Sequence, residues 1–412
     1  QVELNEIQKS IFEKITKNEI NELKTILTQY KENVDFCDEN GMTPLQHSCY
    51  KGNKEAVQLL LDQGADVKSS AHEYNYTALH FAALSGNSEI CLMLLMAGAK
   101  PLETNSVGRT PAQMAAFVAN HDVVATINNF VPITEIEYYT KAQGSSGSAL
   151  LPITLLNSFH KFVMQVNIHP VRIALNLQKF GLFSDDLQKI KKILDMMSER
   201  EMKRRNEINE VMAFKYHYLG WIVNEISKCR DYFQTRKEKS GEQASGTNTT
   251  QSSGKSSSDF IELYAKRVLK SKDGITLDYL EAIIPECVRE FNYRESMIFR
   301  QIVTQLASKE NIGSALDIIK SAINGQRGFQ DVISACSSCG EEKPDKKCSK
   351  CKEVQYCDRE CQRLHWFMHK KVCARPQTTA VTPNTAAATA NTNKKNIDSN
   401  EISEELQKLV AG

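Results

Sequence analysis

Three stretches within the first 130 residues repeat one another. "NGMTPLQHSCYKGNKEAVQLLLDQGADV" starts at Asn40, "YNYTALHFAALSGNSEICLMLLMAGAKP" at Tyr74 and "VGRTPAQMAAFVANHDVVATINNF" at Val107. Thr43, Thr77 and Thr110 are 34 and 33 residues apart, and Gly64 and Gly98 are again 34 apart. A unit of this size cannot bury its apolar face alone, so copies must stack on one another. In each unit a threonine hydroxyl can cap a first helix, and a proline suits that helix's first turn. Gly52 and Gly86 stand where the first helix must end and the chain must turn. "AVQLLL" and "ICLMLL" then give a second helix whose apolar side meets the next unit.

The T-P-L-H-x-A-A pattern at this period resembles the ankyrin repeat. Upstream, "IFEKITKNEINELKTILTQYKENVDFCDENG" fits one more unit without the T-P-L-H segment and is expected to form an N-terminal cap. Gln46 replaces the motif histidine in the first full unit, and Ala112-Gln113 replaces Leu-His in the third, which is expected to be the C-terminal cap. The array is expected over residues 1–138. His80 is expected to hydrogen-bond backbone rather than act as a base. The resemblance implies protein binding on a concave surface, with Asp38, Glu39, Asn40, Tyr74, Asn75 and Arg109 as candidate contacts at the turn tips.

"TKAQGSSGSALLP" is small and polar, and residues 139–150 are expected to be a linker. From 151 to 330 apolar residues recur at three- and four-residue spacing, which predicts an all-helical middle domain. Ser184, Asp185 and Asp186 suit a helix start. The charge run "REMKRR" is expected to be a solvated helix face. Residues 235–258 are rich in Ser, Thr, Gly and Gln and are expected to be a disordered insertion. His160, His169, Tyr216, His217 and Tyr218 share no ligand or triad spacing and are expected to serve the core or the surface.

Seven of the 12 cysteines fall between Cys336 and Cys373. They run Cys336-x2-Cys339-x8-Cys348-x2-Cys351-x5-Cys357-x3-Cys361-x7-His369-x3-Cys373. Seven Cys and one His make eight ligands, enough for two tetrahedral zinc ions. Cys357 and Cys361, like His369 and Cys373, are i and i+4 and share a helical face. Four disulfides would need an eighth cysteine. A catalytic zinc would need an open position, and every position here has a protein ligand. Sequential and interleaved pairings both satisfy the spacing. From Cys336 to Arg375 there are ten Lys+Arg and six Asp+Glu, a side-chain sum of +4; seven thiolates and two Zn2+ bring it to +1. So small a segment should fold only with its metal. Cys37, Cys49, Cys91, Cys229 and Cys287 are scattered and are expected to be buried free thiols.

With "YC", "CQ" and "HW-x2-H-x3-C", residues 334–375 resemble the MYND zinc finger at all eight ligand positions. The resemblance implies interleaved pairs: Cys336, Cys339, Cys357 and Cys361 on one zinc, and Cys348, Cys351, His369 and Cys373 on the other. His365, four residues from both Cys361 and His369, is not a ligand in that pattern. The resemblance also implies that a proline-containing peptide lies alongside a strand, here "EVQY", and contacts Gln362 and Trp366. Packing of Trp366 on the zinc core and solvation of Gln362 remain open as plainer readings. Residues 376–412 are expected to be a disordered tail, with "EISEELQKLVAG" as a short amphipathic helix.

The fold is therefore expected to be mainly α: an ankyrin-repeat solenoid, a helical middle domain and a small two-zinc MYND finger. The net charge of +1 gives no basic field for nucleic acid. No apolar run is long enough to span a membrane. "QVELNEIQKS" has no starting Met, so the chain is read as a fragment, and it has no signal-peptide pattern, which favours a reducing compartment. Ankyrin repeats, a helical middle and a MYND finger in this order resemble a family of ankyrin–MYND proteins. That resemblance implies a non-enzymatic, cytoplasmic adaptor associated with moving signalling proteins to cilia. A transcriptional corepressor-type scaffold stays open, to be decided by localisation. So does a SET-type lysine methyltransferase, to be decided by methyl transfer from S-adenosylmethionine. Against the latter stand the helical middle and the lack of an N-H-x-C-x-P-type motif or a glycine-rich cofactor loop.

Overall fold

The threonine caps organise the first third of the chain. In this computed structural model Thr43, Thr77 and Thr110 are the N-caps of α3 (Pro44–Lys51), α5 (Ala78–Ser85) and α7 (Pro111–Phe117). α1 (Glu6–Lys17) and α2 (Ile20–Gln29) precede them. α4 (Lys54–Asp62), α6 (Ser88–Met96) and α8 (His121–Asn128) are the second helices. α1, α3, α5 and α7 pack in one row and α2, α4, α6 and α8 in another, as a repeat stack requires. The structure describes residues 4–30, 33–142, 147–183, 187–204, 208–239, 253–273, 276–308, 313–325 and 334–373. The helix start at Ser184 to Asp186, the centre of the expected insertion and the tail 376–412 lie outside the described residues.

The third residue of each cap joins successive repeats. His80 Nδ1 accepts from the Thr77 amide at 3.2 Å, and its Nε2 donates to the Arg109 carbonyl at 3.1 Å. Gln46 makes the same bridge with an amide: Oε1 accepts from the Thr43 amide at 2.9 Å, while Nε2 donates to the Tyr76 carbonyl at 3.0 Å. The departure from the motif histidine at Gln46 therefore keeps the motif's hydrogen bonds. Burial lowers the His80 pKa, which keeps the ring neutral for this role. Gly86 ends α5 in the left-handed region, at φ 75°, where a Cβ would come within 2.9 Å of the Asn120 side chain. At the tips Glu39, Asn40, Asn75 and Arg109 are exposed. Asp38 instead holds its turn together, accepting from the Asn40 and Met42 amides and pairing with His47 at 2.7 Å. Tyr74 is half-buried against His72 and Tyr76.

The expected linker is anchored at both ends. α9 (Ile133–Glu137) and a short 3-10 turn at Tyr138–Thr140 carry Tyr139 into the interior, where its carbonyl accepts from the buried Leu151 at 3.0 Å. The middle continues with α10 (Leu156–Val163), α11 (Pro170–Lys179), α12 (Leu187–Met202) and the 30-residue α13 (Glu210–Lys239). α14 (Ser253–Val268), α15 (Asp278–Glu290), α16 (Met297–Ala307) and α17 (Ala315–Asn324) complete it. α13 and α14 trim the expected insertion 235–258 from both sides, for "TRKEK" is built mainly of good helix formers that extend α13. α13 packs along α12, and a Cβ at Gly220 would meet Leu194 Cβ at an ordinary 3.5 Å.

Arg200, Lys203 and Arg204 of the run "REMKRR" are exposed, as expected of a solvated face, and Glu201 is the exception. Glu201 is buried, and Arg204 pairs with it at 2.6 Å and with Glu135 at 2.8 Å, fastening α9 to α12. His160 Nε2 donates to the Val131 carbonyl at 2.6 Å, and His217 Nε2 to the Cys287 carbonyl at 2.8 Å. Tyr218 donates to the Ile168 carbonyl at 3.2 Å, and Tyr216 is buried.

Residues 1–373 form one unit with two apolar cores. One fills the ankyrin stack; the other runs from Val131 through the middle helices to Cys373. The finger is thus part of the middle domain's core. No helix among the described residues is long and apolar enough to cross a membrane.

Candidate metal centre

Two tight turns and one helix build the finger. The first turn returns at Gly340, whose amide donates to the Cys336 carbonyl at 2.8 Å; the second returns at Lys352, bonded to the Cys348 carbonyl at 2.9 Å. Gly340 and Lys352, each next after the second cysteine of its pair, both have positive φ, 67° and 61°. β1 (Lys346–Lys347) and β2 (Gln355–Tyr356) pair antiparallel, so the expected "EVQY" strand is realised in its last two residues. Asp358 caps α18 (Arg359–His369), accepting from the Cys361 amide at 2.8 Å. Along α18, Cys361 and His369 are two turns apart on one face and reach different donor groups.

The structure brings Cys336, Cys339, Cys357 and Cys361 together, with ligand atoms all within 4.8 Å of one another. It does the same with Cys348, Cys351, His369 and Cys373. Sulfur separations are 3.6 Å for Cys339–Cys357, 3.7 Å for Cys339–Cys361 and 3.8 Å for Cys348–Cys373. A tetrahedron with Zn–S bonds of about 2.3 Å has edges of about 3.8 Å. Cys351 Sγ lies 3.4 Å from His369 Nε2, against about 3.5 Å for a tetrahedral S–Zn–N edge. All these cysteines are free thiols. Four sulfurs, and three sulfurs with one imidazole, fit two zinc ions in closed sites that retain no position for a reacting water. In the second group the backbone amide of Cys351 lowers the Cys348 thiol, which favours its thiolate.

His365 belongs to neither group; its Nδ1 pairs with the Tyr356 hydroxyl at 3.0 Å. Trp366 is 42% exposed, with its ring 5.8 Å from that of His369. Gln362, one turn before it on the same face, is half-buried. Of the five scattered cysteines, Cys49, Cys91, Cys229 and Cys287 are buried as expected, and Cys37 is half-exposed.

The middle domain supplies groups that the ligand spacing does not reveal. Arg172, in the first turn of α11, donates to Cys357 Sγ at 3.4 Å and pairs with Glu341 at 2.9 Å. Asn167 donates to the Cys339 carbonyl at 3.0 Å and to Glu341 at 2.8 Å. His169 packs on Gly340, where a Cβ would lie a tight 3.2 Å from the imidazole Cδ2, a crowding on top of the left-handed backbone that glycine adopts without strain. Arg363 of α18 pairs with Glu262 of α14 at 2.5 Å.

Comparison with known proteins yields the same two modules. A model of ankyrin repeats, in three copies, matches residues 14–105, and a model of the MYND finger matches residues 336–373. Dauer abnormal formation protein 25 of Caenorhabditis elegans is 33% identical over 374 residues, covering 88% of this chain and 89% of that protein. Protein fem-1 homolog A-like of Mus musculus is 31% identical over 125 residues, 30% of this chain and 19% of its own. Diacylglycerol kinase zeta of Rattus norvegicus is 33% identical over 93 residues, 22% of this chain and 10% of its own.

Proposed function

Since the chain belongs to the family of the nematode dauer abnormal formation protein 25, with ankyrin repeats ahead of a MYND finger, we propose that it is a non-catalytic adaptor that carries one protein ligand on each module. Both modules are protein-interaction modules, and both metal groups are closed. The eight donors serve as ligands in the two groups: Cys336, Cys339, Cys357 and Cys361 on one zinc, and Cys348, Cys351, His369 and Cys373 on the other.

The finger's ligand is a proline-containing peptide laid along the β1–β2 hairpin and over Trp366. The observation that carries this is the exposure of Trp366. An indole packed into the zinc core would be buried, and this one presents an open aromatic face beside Gln362 on the same side of α18. Proline rings stack on such faces at small entropic cost because their backbone is already restricted. The ankyrin ligand is placed on the exposed tips at Glu39, Asn40, Asn75 and Arg109. The cargo class, signalling proteins bound for cilia, and a cytoplasmic location follow from the resemblance in module order.

The chain has two tryptophans, Trp366 and the buried Trp221. Titration of proline-containing peptides against the intrinsic fluorescence should therefore report on Trp366. Trp366→Ala should weaken binding at least tenfold while leaving two zinc ions per chain. Unchanged affinity in that variant would end the peptide reading. Absence of the tagged chain and its captured proteins from cilia would end the cargo reading.

A further inference from the structure

The two metal groups differ in charge and in what lies beside them. Zinc with four thiolates carries −2, and zinc with three thiolates and a neutral imidazole carries −1. The doubly negative group is the one that faces the middle domain. Its thiolate Cys357 receives an N–H from Arg172, 185 residues earlier in the chain. The same guanidinium pairs with Glu341, which follows Gly340 in the first cysteine turn, and Asn167 grips that turn at the Cys339 carbonyl and at Glu341. The Arg172 side chain is 19% exposed, so its charge has little water to neutralise it. Without the anionic group the guanidinium would keep Glu341 as its counter-charge and lose its thiolate partner; without Arg172, the four-thiolate group would lose a close cation from outside the finger.

We infer that Arg172 is a positioning residue for the four-thiolate metal site, and that this one ion fastens the finger to the helical middle. The inference rests on the ligand pairing proposed above. Metal binding and docking are then linked reciprocally. Whatever factor the docked α11 adds to the affinity of the four-thiolate site, the bound metal adds to docking. The three-thiolate site takes its donors from the turn between β1 and β2, from the end of α18 and from Cys373, and the linkage through Arg172 is assigned to the four-thiolate site alone. Hydrogen-bond partners of metal ligands commonly carry a 10- to 100-fold effect on metal affinity, about the size expected here.

The full chain substituted with Co2+ separates the two sites. Imidazole is a stronger-field ligand than thiolate, so the two cobalt sites absorb at different wavelengths. Wild type should show two bands and two ions per chain. One band, or one ion, would mean that the ligand pairing fails, whatever Arg172 does. In Arg172→Met the four-thiolate band should disappear at 10- to 100-fold lower chelator concentration than in wild type, with the other band unmoved. Arg172→Lys, which keeps the charge and loses the fork, should recover part of the difference. Identical chelator resistance of the four-thiolate band in wild type and Arg172→Met would overturn the inference. If Arg172→Met does not fold, wild type decides the matter through hydrogen exchange followed along the same titration. Exchange of the α11 amides between Arg172 and Leu177 should rise as the four-thiolate band is lost. Full protection of α11 after that band has gone would overturn the inference equally.

Discussion

Asn129, directly after α8, donates through Nδ2 to Oδ1 of Asn324 at the end of α17, across 2.9 Å and 195 residues of sequence. Asn324 in turn donates to the Val166 carbonyl at 3.0 Å, next to the Asn167 that holds the finger. One amide thus joins the last ankyrin repeat to the segment on which the metal turn is docked. A repeat array ordinarily ends in a capping unit with a polar outer face; here the middle domain covers α8. Asn324→Ala strips partners from two groups at once, and a buried donor left unpaired costs about 1–3 kcal/mol. Chemical denaturation of the full chain should show a loss of that size. An unchanged midpoint would mean that the junction carries no stability.

The bridge made by His80 has an internal control in the same chain. Gln46 makes equivalent bonds one repeat earlier, so His80→Gln should cost under about 0.5 kcal/mol, while His80→Ala should cost on the order of 1–2 kcal/mol. The pH dependence gives a second reading. Burial lowers the folded pKa of His80, so between its folded and unfolded values the unfolded chain binds the extra proton. That contribution is complete above the unfolded value of about 6.5 and is lost as pH falls below it. His72 and His217 are lowered by burial as well, so His80→Gln should make the acid-side loss of stability shallower without abolishing it. An equally steep fall in the variant would show that His80 titrates alike in both states.

The ankyrin units and the donor pattern of the finger were legible because their determinants are local. A cap and its third residue, a glycine at a helix end, and donors one turn apart all sit within a few residues of each other. The docking of the finger was not legible. Asn167 and Cys339 are 172 residues apart, and nothing in the spacing of either hints at the other. The buried residue of the charge run, Glu201, was not legible for a related reason. Arg200, Lys203 and Arg204 are exposed as the local pattern suggests, and only the arrival of Glu135 from α9 explains why Glu201 is buried beside Arg204. The composition of the low-complexity stretch does not reveal that α13 continues to Lys239.

Lys215 poses a separate question of cost. Its side chain is fully buried in α13, its ammonium donates to the Val163 carbonyl at 2.7 Å, and burial brings its pKa down to about 7. An unfolded lysine keeps its proton to about 10.4. Between pH 7 and 10 the unfolded state therefore holds one proton more than the folded state, and stability contributed by this site rises with pH. Lys215→Met removes the charge-burial cost and leaves one carbonyl unpaired. With the first effect the larger, the variant should be more stable at pH 7 by on the order of 1–3 kcal/mol. The difference from wild type should shrink as pH approaches 10. A variant less stable than wild type at pH 7 would show that the hydrogen bond outweighs the desolvation of the ammonium.

The interleaving of the metal ligands can be tested without a crystal. If Cys336 and Cys357 serve the same ion, Cys336→Ser and Cys357→Ser should each spare the other group, and the cobalt-loaded variants should keep the same residual band, that of three thiolates and one imidazole. Under sequential pairing the two substitutions would damage different ions and leave different bands. Cys351→Ser supplies the complement and should leave only the four-thiolate band. Because the finger shares its core with the middle helices, removing both ions should also loosen α14, which packs on α18, in hydrogen exchange. The repeats α1 to α6 have their own core and should keep their protection. Loss of protection throughout the ankyrin stack on chelation would mean that the two cores unfold as one.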